Sequence, residues 1–272
     1  MNQEIKTVIG QMSKGSAEFC QFLASIYLYE LTDEQIDSLA NLQFEDDGSL
    51  TARGYKHIVK ALQNHHAGTR QELAVDYAHV FLGAGSYDEI TAPPYESVFT
   101  SKSQLMMQDA RDKALKYYRS EGLDLPDENT IPEDHLGFEL QFMATLFTRT
   151  IEALENNDEA RVEELVKKQR GFFRYHQENW LPSFLDAVDA HSKTAFYHGV
   201  ATITRGYLET MRGYLDELAT EMGLSLEDEE LKPAWMNEEY DSDDVLSFED
   251  LSCATSARQE AAQLGAFGPT HD

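Results

Sequence analysis

Pro132-Glu133-Asp134-His135-Leu136-Gly137-Phe138-Glu139-Leu140-Gln141-Phe142-Met143-Ala144-Thr145-Leu146-Phe147 is the stretch on which the fold of this chain turns. Leu136, Leu140, Met143 and Phe147 recur at i, i+4, i+7 and i+11, the spacing that stacks side chains into one stripe of a 3.6-residue helix. Pro132 stands where a first helical turn tolerates a missing N–H, and Glu133 and Asp134 set negative charge against the positive end of the helix dipole. The spacing therefore predicts a helix starting at Pro132 and running to about Leu154. Asp134, His135 and Glu139 fall in its first turns, polar groups held tightly against an apolar face.

Moving toward the N-terminus, the same periodicity repeats. Leu73, Tyr77, Val80 and Phe81 give a helix from about Thr69 that Gly83-Ala84-Gly85 stops; Ile58, Val59 and Leu62 mark another; Phe19, Phe22, Leu23, Ile26 and Tyr27 trace a third between residues 16 and 29. Thr32 and Gln35 have the spacing of a capping box, which opens a short helix through Ile36 and Leu39. Between Gly83 and the central stretch, residues 86–99 are expected as a loop whose Pro93-Pro94 pair stiffens the backbone and presents Tyr95. A long helix with Leu105, Met106, Ala110, Leu115 and Tyr118 is expected to follow, then a polar segment at 124–131 that could serve as a hinge. Toward the C-terminus come a helix through Val162 and Leu165, an aromatic segment from Phe172 to Phe184 interrupted by Pro182, and a helix with Phe196, Val200, Ile203, Tyr207 and Met211. No run alternates with period two in the manner of a strand. The fold class is all-α.

The chain has 272 residues, 42% of them apolar, with 14 Phe and 13 Tyr, enough to bury a large core. Its 22 Lys+Arg against 49 Asp+Glu give a net charge of −27. That balance disfavours nucleic acid, whose phosphates need a basic face, and favours basic partners. From Tyr214 onward 16 acidic residues face only Lys232 and Arg258, so the chain divides into a body over 1–213 and an acidic, partly flexible extension over 214–272. No apolar run reaches the roughly 18 residues of a membrane span, and the first 13 residues lack a secretory apolar core, which together predict a cytoplasmic protein. Cys20 and Cys253 lie too far apart, and in too different a context, to suggest a disulfide or a thiolate metal site.

Three segments in fixed order carry a resemblance: Asp76-Tyr77-Ala78-His79-Val80-Phe81-Leu82-Gly83 leading to Ala92-Pro93-Pro94-Tyr95-Glu96-Ser97-Val98; Pro132-Glu133-Asp134-His135-Leu136 with Glu139; and Phe172 with His176, Trp180, Pro182 and Phe184. Together they resemble the TorD/DmsD-like family of redox-enzyme maturation chaperones over about residues 15–210. The resemblance implies a single helical-bundle body without catalytic residues. Such a chaperone binds the twin-arginine leader and apoprotein of a molybdopterin oxidoreductase, of the dimethyl-sulfoxide or trimethylamine-oxide reductase type, and holds it until cofactor insertion precedes export. It further implies a leader-binding surface at Tyr77, Phe81, Pro94, Tyr95, Asp134 and His135. By the same resemblance no cofactor is held beyond weak GTP binding, and monomers coexist with domain-swapped dimers. Tyr95 stands where several members carry tryptophan.

Elementary chemistry points to the same place. Paired arginines followed by an apolar segment call for carboxylates, which Glu96, Asp134 and Glu139 supply, beside an apolar groove, which Tyr77, Phe81 and Tyr95 supply. Against this stands the plainer account in which Asp134 caps a helix and His135 is a satisfied core group. An enzyme is the opposing class. His135 and Glu139 at i, i+4 share an expected helix face, and His176 and His79 could complete a metal site, although no H-E-x-x-H motif supports it. Gly83-Ala84-Gly85 matches only part of a phosphate loop, with Asp88 in the third glycine position and no strand before it, so nucleotide hydrolysis is poorly supported.

Overall fold

The computed structural model describes residues 3–86, 90–126, 128–224 and 233. Among these residues the chain is all-α, with ten helices: α1 (Gln3–Leu28), α2 (Asp33–Ala40), α3 (Leu50–Leu62), α4 (Thr69–Leu82), α5 (Glu96–Thr100), α6 (Asp109–Ser120), α7 (Leu136–Glu155), α8 (Glu159–His176), α9 (Leu181–His191) and α10 (Ala195–Glu221). Extended pairing among them is limited to an isolated antiparallel bridge between Tyr95 and His135. None of these helices is long and apolar enough to cross a membrane.

Local chemistry sets several boundaries where the sequence placed them. The Thr32 hydroxyl accepts from Gln35 N while the Gln35 side chain accepts from Thr32 N, a complete capping box on α2. Gly83 ends α4 in the left-handed region, at φ +67°, which costs glycine no Cβ clash. Pro182 falls in the first turn of α9, so it begins a helix after the turn that closes α8.

Four boundaries differ. The first helix starts at Gln3, well before residue 16, because α1 runs antiparallel along α7, with Leu28 against Gly137 and Gly10 facing Leu154. That contact supplies the burial that the polar N-terminal turns could not signal. The helix expected through Leu105 and Met106 begins only at Asp109; Gln104 and Met107 sit at φ +54° and +59°, which no α-helix accommodates. The 86–99 loop yields a short helix, α5, at its end. Finally, α7 starts at Leu136 rather than Pro132. Residues 134–136 pair with 94–96 instead, Leu136 N donating to Pro94 O and Glu96 N to Asp134 O, so their backbone groups are spent outside the helix.

Helix α7 is buried on nearly every side, as are most of the inward residues of α10. The two form the centre, with α1 on α7, α3 on α10 and α8 between them. Glycine lets α3 approach α10 closely: a Cβ on Gly54 would lie 2.7 Å from Ile203 N and 2.9 Å from Gly199 O. Overpacking of that kind costs about 1–3 kcal/mol. Helix α10 continues through Gly213 to Glu221; the acidic runs and the tethers expected at Trp235, Met236, Leu246, Phe248 and Leu251 lie outside the described residues.

Candidate functional site

The bridge between the 94–96 and 134–136 segments brings five of the candidate residues together: Pro94, Tyr95, Glu96, Asp134 and His135. Pro94 O accepts from Leu136 N at 2.8 Å, and Tyr95 packs edge-on against His135 with ring centroids 5.0 Å apart. Asp134 is fully buried, and its Oδ2 accepts from Ser97 N at 2.8 Å. It therefore caps α5, a helix invisible in the sequence, and not the helix it precedes. Burial pushes its carboxyl above the usual range despite that hydrogen bond, and its Oδ1 has no partner. His135 is the N-cap of α7, its Nδ1 accepting from Gly137 N at 3.0 Å. The ring is buried, which pushes its pKa down to about 3 and keeps it neutral.

Beneath this bridge lies a second group. Glu96 Oε2 is 2.6 Å from His176 Nδ1, and Glu96 Oε1 accepts from Asn179 Nδ2 at 2.9 Å. Glu139, one turn into α7, has no exposed surface, and neither of its oxygens meets hydrogen-bond geometry, although the Trp180 indole and the Glu96 carboxyl lie beside it. Burial first, then the neighbouring Glu96 and Asp134 carboxylates, drive its pKa well above the carboxylate range, so it is held as the neutral acid. His176 Nε2 is also buried without a partner, on a ring stacked on Phe172 at 4.9 Å. Donor atoms of Glu96, Glu139 and His176 all lie within 4.8 Å of one another.

The alternative of a metal site around His135, completed by Glu139, His176 and His79, is not favoured by this geometry. His135 is a cap rather than a helical residue, so it shares no helix face with Glu139, and its Nδ1 is occupied by Gly137 N. His79 is elsewhere, with Nδ1 donating to Ala84 O at 3.1 Å and its ring 6.5 Å from His191. His176 does join Glu139, in company with Glu96. Asn179 and Ser97 are participants that periodicity could not single out, because their roles depend on contacts across 83 and 37 positions.

Outward from the cluster runs a groove of about 680 Å³, lined among others by Glu96, Gln108, Asp109, Lys113, His176 and Asn179. Both ends of the 101–108 loop contribute to its wall, and the middle of that loop exposes Leu105, Met106 and Met107 by 60%, 49% and 60%. Tyr77 and Phe81 do not reach the groove. They are buried in a separate aromatic group with Tyr27 and Tyr197, Tyr77 donating its hydroxyl to Tyr27 O at 2.9 Å. Their helix holds the proline loop through a bond from Ala92 N to Val80 O at 2.9 Å. Asp76, on the same helix, accepts from Lys193 N and Thr194 N and so fixes the start of α10.

Residues 46–186 match the family described as nitrate reductase delta subunit. Similar chains include the chaperone protein TorD of Vibrio cholerae serotype O1 (El Tor Inaba), 27% identical over 230 residues that cover 81% of this chain and 99% of that one. TorD of Vibrio vulnificus (strain YJ016) is 23% identical over 223 residues, with 79% and 99% covered. TorD of a Psychrobacter species is 28% identical over 149 residues, 54% of this chain and 64% of that one.

Proposed function

Because this chain belongs to the nitrate reductase delta subunit family, we propose that it is a chaperone, like the TorD proteins it resembles, and not an enzyme. Its client is the apoprotein of a molybdopterin oxidoreductase, met through the twin-arginine leader and held until the cofactor is in place and export can begin.

One observation carries this reading: Glu96 belongs at once to the buried carboxylate group and to the wall of the open groove. A leader arginine entering the groove would find there a carboxylate already oriented by His176 and Asn179, and a charge-assisted, bidentate pair is the strongest hydrogen-bonded contact a peptide cation can make. The apolar segment that follows the arginines has Leu105, Met106 and Met107 within reach on the same loop, and methionine adapts readily to varied apolar partners. Half-buried Tyr95 sits at the bridge between the two layers. Tyr77, Phe81 and Pro94 hold the loop in place, while Asp134, His135 and Glu139 support it from below.

Calorimetric titration with a synthetic twin-arginine leader peptide tests this, beside a copy with both arginines changed to alanine. The expected result is saturable binding of the first, lost with the second, and weakened about tenfold by Glu96→Gln, or about 1.4 kcal/mol. Equal binding of both peptides would remove the charge-pairing mechanism; binding of neither would remove leader recognition.

A further inference from the structure

We infer that Glu96, Glu139 and His176 form a binding site for one divalent first-row transition-metal ion, reached from the groove. The site shares Glu96 with the proposed leader contact, although leader recognition itself requires no metal.

The three residues come from the start of α5, the second turn of α7 and the end of α8, and all three are at least 96% buried. Two carboxyl groups and an imidazole enclosed together are costly, and structures tolerate such groups when each is paired. Here the pairing is incomplete: neither Glu139 oxygen nor His176 Nε2 meets hydrogen-bond geometry with a partner, although the Trp180 indole and the Glu96 carboxyl stand beside Glu139. Glu121, equally enclosed at the side chain, shows that this chain supplies cations to a buried acid where the acid is structural: Arg149, Arg161 and Lys168 all converge on it. Among the described residues no Lys or Arg is paired with Glu96 or Glu139.

The donor set, two carboxylates and one imidazole with no thiolate, suits Zn²⁺, Fe²⁺, Mn²⁺ or Co²⁺ rather than Cu⁺. Metal–ligand bonds of about 2.0–2.2 Å permit ligand atoms up to about 4.4 Å apart, so donors already within 4.8 Å of one another need to close by only a few tenths of an ångström. Three protein ligands leave coordination positions over, and the groove wall formed by Glu96 and His176 gives water access to them. A supporting hydrogen bond is in place: Asn179 donates to the other oxygen of Glu96, which holds that carboxyl in orientation.

The test is a Zn²⁺ titration of the full chain, first stripped with a chelator, against a chromophoric competitor, and one equivalent is expected to bind. Glu139→Gln exchanges a carboxyl ligand for an amide of the same shape, and should keep the helical signal yet lose affinity at least tenfold. Co²⁺ in place of Zn²⁺ should give visible bands that disappear in His176→Gln. The exposed His65 and His66 are the competing source of binding, so His65→Ala with His66→Ala should leave the titration unchanged. Absence of stoichiometric uptake, uptake unaffected by Glu139→Gln, or uptake abolished by the His65 and His66 changes would overturn the site. Leader binding is read separately on the stripped, unsubstituted protein, where it should persist without Zn²⁺, which separates failure of this site from failure of the chaperone function.

Discussion

Two carboxylates buried in the same bundle have met opposite fates. The Glu121 side chain, at the end of α6, is wholly enclosed, and Arg149 and Arg161 reach its Oε2 at 2.5 Å while Lys168 takes its Oε1. Burial alone would raise its carboxyl, yet the hydrogen bonds from Lys168 and Arg149 hold it below the usual range. Glu139, on α7, is enclosed to the same degree with no cation, and is neutral for that reason. The first is a charge the fold has neutralised to hold α6, α7 and α8 together. The second is a polar group the fold has left unsatisfied beside a groove, and unsatisfied buried groups are rare enough to call for a role beyond packing.

The largest effect that would sharpen this contrast comes from one chemical change made at both places. Glu121→Gln should cost about 3 kcal/mol in urea denaturation, the low end for breaking a buried ion pair, because its cations are partly solvated. Leader binding should survive it. Glu139→Gln, which removes a carboxyl that is ionised in the unfolded chain but held back from ionising in the fold, should instead raise stability at pH 7. Equal costs would erase the distinction between the two sites.

The pH dependence follows from burial in the same layer. His135 has its folded pKa depressed to about 3 from an ordinary 6.5. The unfolded chain therefore binds the proton first, and stability present above pH 6.5 is lost as pH falls toward 3. Each pH unit inside that window costs at most about 1.4 kcal/mol. His135→Asn keeps an N-cap acceptor for Gly137 N and should remove most of that loss, read from denaturation midpoints at pH 7 and 5. Glu139 carries the opposite sign. Its folded pKa is raised, so its contribution is full below the ordinary carboxylate range and declines as pH rises toward the folded value. Glu139→Gln should flatten that alkaline-side decline, and a decline that persists would place its origin elsewhere.

The smallest effect is ionic strength. Raising salt to about 0.5 M screens exposed charge within a few ångströms and should weaken the leader peptide several-fold, while leaving the Glu121 cluster intact. Salt-insensitive binding would shift the weight of recognition onto Leu105, Met106 and Met107.

Much of the bundle could be read from the chain itself. The stripes of α4 and α7, the Thr32–Gln35 box and the Gly83 stop rest on interactions within a few positions, which sequence encodes directly. The same logic erred where a local preference was outvoted at a distance. Pro132 and the acids after it have every property of a helix start, but the 94–96 segment claimed the backbone of residues 134–136 first. Leu105 and Met106 continue a helical pattern, yet left-handed backbone at Gln104 and Met107 turns them out to solvent.

The sequence by itself determined an all-α body and the position of its central helix, because apolar periodicity and local capping need only the residues at hand. Only the tertiary structure decided that Asp134 serves α5, that His135 is a neutral cap, and that Glu96, Glu139 and His176 meet, since burial and pairing across 80 positions exist only after the helices have packed. Whether a carboxylate is a charge or an acid depends on what surrounds it, and here the surroundings come from helices that the residue's own neighbours in the chain do not specify.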